Sequence, residues 1–225
     1  GEDCAHRTRV HPAVGMAPRL AVHRADVQAG TAPQAAEHLL ALINGILDVS
    51  KIQAGKLSVD REQVEMSSIL SSCLLIIDAK AREKSITLET AVSPDMPRIM
   101  GDPLRIKQVL INLVGNAVKF TPEGGRIKVD VRPLQPGYAV IEVTDTGCGM
   151  TPAEVETAMR PFGQIDTAFS KRHEGTGLGL PIAYALARLH GGDLRIDSQK
   201  GQGTRVTVIL PTVELSTDAA QQNPN

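Results

Sequence analysis

The chain has 225 residues, 42% of them hydrophobic, 22% charged and 2% aromatic, with a formal net charge of −1. That is enough chain for one or two domains around an aliphatic core of Leu, Ile, Val, Ala and Met. The near-neutral balance gives no electrostatic reason to bind nucleic acid or an anionic membrane, and so few aromatics argue against a base-stacking platform.

Residues 1–33 hold three of the six histidines and seven alanines but no Lys, Ile, Phe or Tyr. They show no sustained helical or strand periodicity and read as an irregular leader. From Pro33 the pattern changes. Leu39, Leu40, Ile43, Ile46, Leu47 and Val49 recur at helical spacing through residues 37–52, and Ala54-Gly55 stops the run. In residues 56–66, Leu57 and Val59 alternate with polar residues as in an edge strand. Residues 67–83 predict a helix that buries Ile69, Leu70, Cys73, Leu74, Ile77 and Ala81, and residues 86–90 predict a strand. Asp102-Pro103 then opens a helix that continues to about Phe120, with Asp102 as N-cap and Pro103 in the first turn.

Strands are expected near residues 126–132 and 138–144, around a turn with Pro133, Pro136 and Gly137. A short helix starts at Thr151-Pro152, and a loop runs from about Pro161 to Gly175. A further helix covers residues 178–189 and ends at Gly191-Gly192. Strands over 193–198 and 204–210 flank the turn Lys200-Gly201-Gln202-Gly203, and the tail after Pro211 is polar. This order is not simple βαβ alternation. It predicts an α+β fold, a two-layer α/β sandwich with helices on one face of a mixed sheet. The expected divisions are 1–33, a helix over 34–56, a main domain over 57–212 and a tail over 213–225.

The cysteines, Cys4, Cys73 and Cys148, are odd in number and form no CxxC pair, so neither a disulfide framework nor a zinc site is indicated and a reducing cytoplasm is expected. No apolar run reaches spanning length, and the start lacks a signal-peptide pattern. No membrane contact is expected within these residues; an anchor of a longer parent would lie outside them.

Four short motifs carry chemistry. Asn112, Asn116 and Lys119 share one face of the 103–120 helix. A carboxamide oxygen can ligate a hard cation such as Mg²⁺, and an ammonium can meet phosphate oxygens. Taken alone, the stripe also fits a solvated polar face. Asp145-Thr146-Gly147-Cys148-Gly149-Met150 follows a strand directly. A carboxylate at a strand end can accept from an exocyclic amine, and the glycines permit close backbone approach, although a plain turn would read the same. Gly175-Thr176-Gly177-Leu178-Gly179-Leu180 opens a helix, where free N–H groups favour an anion; a flexible loop is the alternative. It is neither a Walker A loop nor a dinucleotide fingerprint, because no Gly-Lys-Ser/Thr follows and no strand precedes it. Gly201-Gln202-Gly203-Thr204 alone is an ordinary hairpin turn. Cys148 reads as a small tolerated side chain rather than a redox group.

In this order the four motifs resemble the nucleotide boxes of the sensor histidine kinase family: the N box at 112–121, G1 at 145–150, G2 at 175–180 and G3 at 201–204. Pro161-Phe162-Gly163-Gln164 is similar to that family's phenylalanine box. The resemblance covers about residues 35–212 and implies a Bergerat-type ATP-binding fold. It implies that Asp145 binds the adenine amino group with Thr204 nearby, that Asn116 ligates Mg²⁺, and that Asn112 and Lys119 hold phosphates or the metal. Gly147 and Gly149 would make room for the nucleotide. The backbone of Gly175, Thr176, Gly177, Leu178, Gly179 and Leu180 would cap the phosphates. Phe162 would pack in a lid with Arg172 near a phosphate.

Related ATPases and serine kinases place a glutamate four residues before the metal-binding Asn, as general base. Here that position is Asn112, which takes up no proton at neutral pH. A neutral imidazole already carries a lone pair, so Asn112 favours transfer to histidine over hydrolysis, unless it merely hydrogen-bonds locally.

Residues 37–57 resemble the second helix of the family's dimerisation and phosphoacceptor hairpin, which implies homodimerisation and a response-regulator receiver domain as partner. The usual His-Glu-Leu-Arg-Thr-Pro motif is absent. The first helix would be truncated, divergent, or hidden by an out-of-frame stretch over 1–33. His6 or His11 is the candidate acceptor; His38 and His190 read as structural or surface residues. The expected function is a histidine kinase core moving the γ-phosphoryl group of ATP to histidine and then to a regulator aspartate. The alternatives are an ATP-binding module without autokinase activity and a related ATPase or serine kinase.

Overall fold

A computed structural model describes residues 39–40, 42–134, 137–165 and 176–213. The chain divides into two compact units, residues 1–43 and 44–225. In the first, Leu39, Leu40 and Ile43 are helical with exposed side chains. The expected leader, with His6 and His11, lies outside the described residues, as does His38. The sheet and its helices belong to the second unit.

Residues 44–53 form a helix, α1. It stops where expected: Gly55 adopts φ +64°, and the N–H groups of Gly55 and Lys56 bond back to the carbonyls of Ile52 and Lys51. The edge strand expected around Leu57 and Val59 does not form there. The strand is β1, Glu62–Val64, because its partner β3, Ile99–Gly101, lies opposite those residues and not opposite 57–59. Leu57 is buried all the same.

The main sheet has strand order β2-β4-β5-β7-β6, with β2 at Thr87–Val92, β4 at Arg126–Leu134, β5 at Tyr138–Asp145, β6 at Asp193–Gln199 and β7 at Gly203–Pro211. β2 and β4 run parallel, and the other neighbours are antiparallel. The alternation read from the sequence is the physical basis of its two faces. Ile127, Val129, Val131, Ile141, Val143, Val206, Val208 and Leu210 are buried on one side. The other side carries Lys128, Asp130, Arg132, Glu142 and Arg205, where Glu142 pairs with both Arg132 and Arg205. Such exposed pairs each contribute about 0–1 kcal/mol, so the burial on the first face decides the packing.

Three helices cover the apolar side: α2 at Met66–Glu83, α3 at Pro103–Phe120 and α5 at Gly179–Leu189. A short α4, Pro152–Ala158, starts with a capping box in which Thr151 and Glu154 exchange bonds. α3 is central and packs against both α2 and α5. Ile106, Val109, Leu110, Leu113, Val114, Ala117 and Val118 form its buried stripe. Asp102 caps it as expected, its Oδ1 accepting from Leu104 and Arg105 N–H at 3.0 and 3.1 Å. The two-layer α+β sandwich expected from the sequence is what forms. Among the described residues no helix is long and apolar enough to cross a membrane.

Side chains distant in sequence fix α3 at three points. Asp48, on α1, is 8% exposed and accepts from Arg105 Nη1 at 3.2 and 3.3 Å and from Gln108 Nε2 at 2.8 Å. At the start of α3, the buried His190 accepts from Asp102 N–H through Nε2 at 3.0 Å. Its Nδ1 lies 2.7 Å from the Leu186 carbonyl, so Nδ1 is the protonated nitrogen and the ring is neutral. At the far end, Lys84 Nζ donates to the carbonyls of Val118, Lys119 and Thr121 at 2.7, 3.0 and 2.7 Å. A cation meets the negative end of the helix and satisfies carbonyls that α3 cannot pair internally. Burial lowers the pKa of Lys84. Lys84→Met keeps the aliphatic stem and removes the charge, so it is expected to cost about 1.5–3 kcal/mol in urea unfolding; an unchanged midpoint would show that these carbonyls are equally well served by water.

Candidate functional site

The site forms where β5, α3 and the start of α5 meet. β5 delivers Asp145 as its last residue, opposite Ile127 of β4 and Thr204 of β7. The carboxylate is 9% exposed. Its Oδ1 accepts from Gly147 N–H at 2.8 Å and Thr204 N–H at 3.3 Å, while Oδ2 takes no hydrogen bond from the described residues. One oxygen is held by the protein and the other remains an acceptor. Burial pushes the Asp145 carboxyl above its ordinary pKa, and the two N–H groups pull it back in part.

The turn after Asp145 is held by backbone packing. A Cβ on Gly147 would stand 2.6 Å from Asp145 Oδ1 and 2.8 Å from the Phe120 carbonyl oxygen. Gly149 has φ +59°, and a Cβ there would collide with the Gln199 carbonyl oxygen. Cys148 N–H donates to Phe120 O at 3.3 Å, and Cys148 O accepts from Gly201 N–H at 2.7 Å. The Cys148 thiol has its pKa raised, chiefly by burial, which keeps it protonated and fits the inert reading. Lys200 reaches back to Glu154 at 2.5 Å, so the Gly201-Gln202-Gly203 turn is also tied to α4.

On α3, Asn112, Asn116 and Lys119 are half-buried on the side left free by the core stripe. Asn112 Nδ2 donates to Gly179 O at 3.2 Å. The bond is not local, as the sequence alternative had it, but joins α3 to the start of α5. Gly179 lies against both amides, since a Cβ on it would be 3.6 Å from Asn116 Nδ2 and 3.7 Å from Asn112. Asn116 has no hydrogen bond from the described residues. Lys119 Nζ sits 4.9 Å from the Phe120 ring centroid with no carboxylate partner among them. Burial lowers its pKa. An amide and an ammonium without a carboxylate partner among the described residues, side by side, suit phosphate oxygens and a hard cation.

α5 begins beside this stripe. No side chain caps it, Gly179 and Leu180 N–H have no described partner, and Pro181 has no N–H. Leu178 N–H is held by Thr176 Oγ1 at 3.1 Å, and the Leu178 side chain is 1% exposed. It packs against Gly45 of α1, where a Cβ would come within 3.1 Å. Phe162 is 57% exposed with φ +62°, and its N–H donates to Gly177 O at 3.1 Å. Gly177, at φ +68°, presses against the Phe162 and Gly163 backbone, so the phenylalanine motif and the second glycine motif touch. Arg172 and Gly175 lie outside the described residues.

Asp145, Gly147, Gly149, Thr204, Asn112, Asn116, Lys119 and the 176–180 segment thus come together around α3, β5 and α5. Sequence reasoning missed Ser198, whose hydroxyl lies within hydrogen-bond reach of Met150 N–H, Gly203 O and Thr204 Oγ1. The only hint was its place opposite Thr204 across the last hairpin.

Comparison with known proteins finds a family and several relatives. The family described as histidine kinase-, DNA gyrase B-, and HSP90-like ATPase matches residues 101–214. An uncharacterised sensor-like histidine kinase of Rhizobium meliloti is 38% identical over 179 residues, which is 80% of this chain and 34% of the relative. The cell-division control histidine kinase PdhS of Brucella suis is 37% identical over 189 residues, 80% of this chain and 18% of that protein. The chain therefore spans about a third or less of the curated relatives it matches. Full-length ShkA, crystallised with AMPPNP, superposes with a TM-score of 0.70 at 30% identity, covering 80% of this chain and 37% of that one. The chain belongs to the histidine kinase-, DNA gyrase B- and HSP90-like ATPase family, and the curated relatives it resembles within that family are histidine kinases.

Proposed function

We propose that this chain binds ATP with Mg²⁺ and directs the γ-phosphoryl group to a histidine, from which a response-regulator aspartate receives it. The observation that carries the nucleotide reading is the Oδ2 of a buried Asp145, which takes no hydrogen bond from the described residues and is an acceptor available to an exocyclic amine. Thr204 flanks it. Asn116 offers an amide oxygen to the metal, and Lys119 an ammonium to the phosphates. Gly179 and Leu180 N–H, with Thr176 and Gly177 before them, cap the phosphates at the positive end of α5. Asn112 holds α5 in place through Gly179 and leaves the site without a proton-accepting carboxylate at that position. Phe162 belongs to the lid; Arg172, expected near a phosphate, and Gly175, expected in the phosphate cap, lie outside the described residues. Mg²⁺, when bound, neutralises charge on the phosphates. The chain's residues otherwise act by positioning and electrostatic stabilisation. Homodimerisation through the helix that includes α1, and a cytoplasmic location, belong to the same reading.

Incubation with γ-labelled ATP and Mg²⁺ tests it, alone and with a phosphoacceptor hairpin supplied in trans. Acid-labile, base-stable label on protein is the expected result. Release of free phosphate alone would make the chain an ATPase. Binding of ATP with neither product would support the rival reading, a nucleotide module without kinase activity, which rests on the absence of His-Glu-Leu-Arg-Thr-Pro from the sequence.

A further inference from the structure

We propose that Ser198 determines base selectivity at the nucleotide site by fixing the direction of the Thr204 hydroxyl proton. The inference rests on the ATP reading above and deepens it. Ser198 lies on β6 directly opposite Thr204 on β7. Its Oγ accepts from Met150 N–H at 2.8 Å, lies 3.1 Å from Gly203 O, and lies 2.8 Å from Thr204 Oγ1. It therefore bridges the loop after Asp145 and the glycine turn before β7, the two backbone segments that flank the carboxylate.

Proton accounting decides the arrangement. A serine hydroxyl has one proton and two lone pairs. Gly203 O can only accept and Met150 N–H can only donate. All three contacts are satisfied together only if Ser198 donates to Gly203 O and accepts from both Met150 and Thr204. In the alternative, Ser198 donates to Thr204 and two oxygens face each other at 3.1 Å with no proton between them. The Thr204 proton is thus committed to Ser198, and Thr204 Oγ1 offers a ligand only its acceptor lone pairs.

Thr204 pairs directly with Asp145 across β5 and β7 and its N–H bonds Asp145 Oδ1, so the Thr204 side chain and the Asp145 carboxylate are cross-strand neighbours on one face of the sheet. Two acceptors that both face the 6-position match an amine there, which has two N–H groups to give. They oppose a carbonyl oxygen there, because a buried acceptor facing an acceptor is left unpaired. Ser198 selects a 6-amino purine over a 6-oxo purine without touching the base itself, which makes it a positioning residue.

The test measures affinity of the whole chain for AMPPNP and for the inosine and guanosine analogues by calorimetry. Ser198→Ala frees the Thr204 proton to turn toward a 6-oxo group, so the adenine-to-inosine affinity ratio is expected to fall about tenfold, the worth of one hydrogen bond. Ser198→Thr, which keeps the hydroxyl, is expected to hold the ratio near that of the parent chain. In a Thr204→Val background, Ser198→Ala is expected to leave the ratio where Thr204→Val alone puts it. A purely structural role would weaken all nucleotides alike and leave the ratio unchanged in Ser198→Ala, which overturns the proposal. Failure of the parent chain to bind AMPPNP would overturn the ATP reading itself.

Discussion

Asp145→Asn is expected to raise the Kd for AMPPNP by about 10- to 150-fold while leaving the fold as stable as before, or more so. The affinity loss follows from replacing a charge-assisted hydrogen bond, worth about 1.5–3 kcal/mol, by a group whose outward end is a donor like the adenine amine. The stability gain follows from linkage. Burial, the largest influence on this group, raises its folded-state pKa above its ordinary value. Between the two values the native state keeps a proton that the unfolded chain has released. The stability drawn from the protonated form is complete below the ordinary carboxyl pKa and is lost as pH rises through the raised one. At neutral pH the ionised carboxylate is a net cost to the fold. Asparagine removes that cost and keeps the amide oxygen that accepts from Gly147 and Thr204. Thermal melts of both proteins at pH 7 and near pH 4 check the sign: the advantage of the variant should shrink at the lower pH. A variant that melts well below the parent at pH 7, or that binds AMPPNP as tightly, contradicts this account.

The largest expected loss of stability comes from His190→Ala. The ring is buried and both nitrogens are used, one by Asp102 N–H and one by Leu186 O. Truncation leaves a cavity and an unpaired N–H at the start of α3, for a combined loss of about 3–5 kcal/mol. His190→Phe fills the space without the hydrogen bonds and should recover part of that loss in urea unfolding. Equal midpoints for the two variants would mean that packing contributes nothing there. The consequence extends beyond stability, since His190 joins the end of α5 to the start of α3 and these two helices together carry Asn112, Asn116 and the 176–180 turn.

Much of this was legible because the relevant patterns are local. Asp102-Pro103 and the 3.6-residue stripe define α3 within a single stretch of sequence. Asp145 stands out because it ends a strand and precedes two glycines. The short strand Ile99–Gly101 was not legible, being three residues long and offering no period to detect. Its pairing with Glu62–Val64 in turn moved the first strand away from Leu57 and Val59. Lys84, Asp48 and Ser198 escaped for a related reason, and His190, read as a structural or surface residue, did not reveal its partners. Each is an unremarkable polar residue in its own neighbourhood and acquires a role only through a partner on another element. Asp102 lies 88 positions from His190, and Val118 34 from Lys84. Even Ser198, six residues from Thr204, needed the strand register to put it opposite.

The glycine motifs identify the family most readily, yet the structure gives them a second meaning. Gly149 faces the Gln199 carbonyl and Gly177 faces the Phe162 backbone, so each is required by a neighbouring segment of the same protein whether or not a nucleotide is present. A duplicated copy that bound no nucleotide would still be selected to keep them, because a side chain there would strain the fold. The side chains of Asn116 and Lys119 have no such protection, since no hydrogen bond or ion pair among the described residues depends on them. In a decaying lineage those two would drift first, and their presence says more about a working site than the glycine signature does.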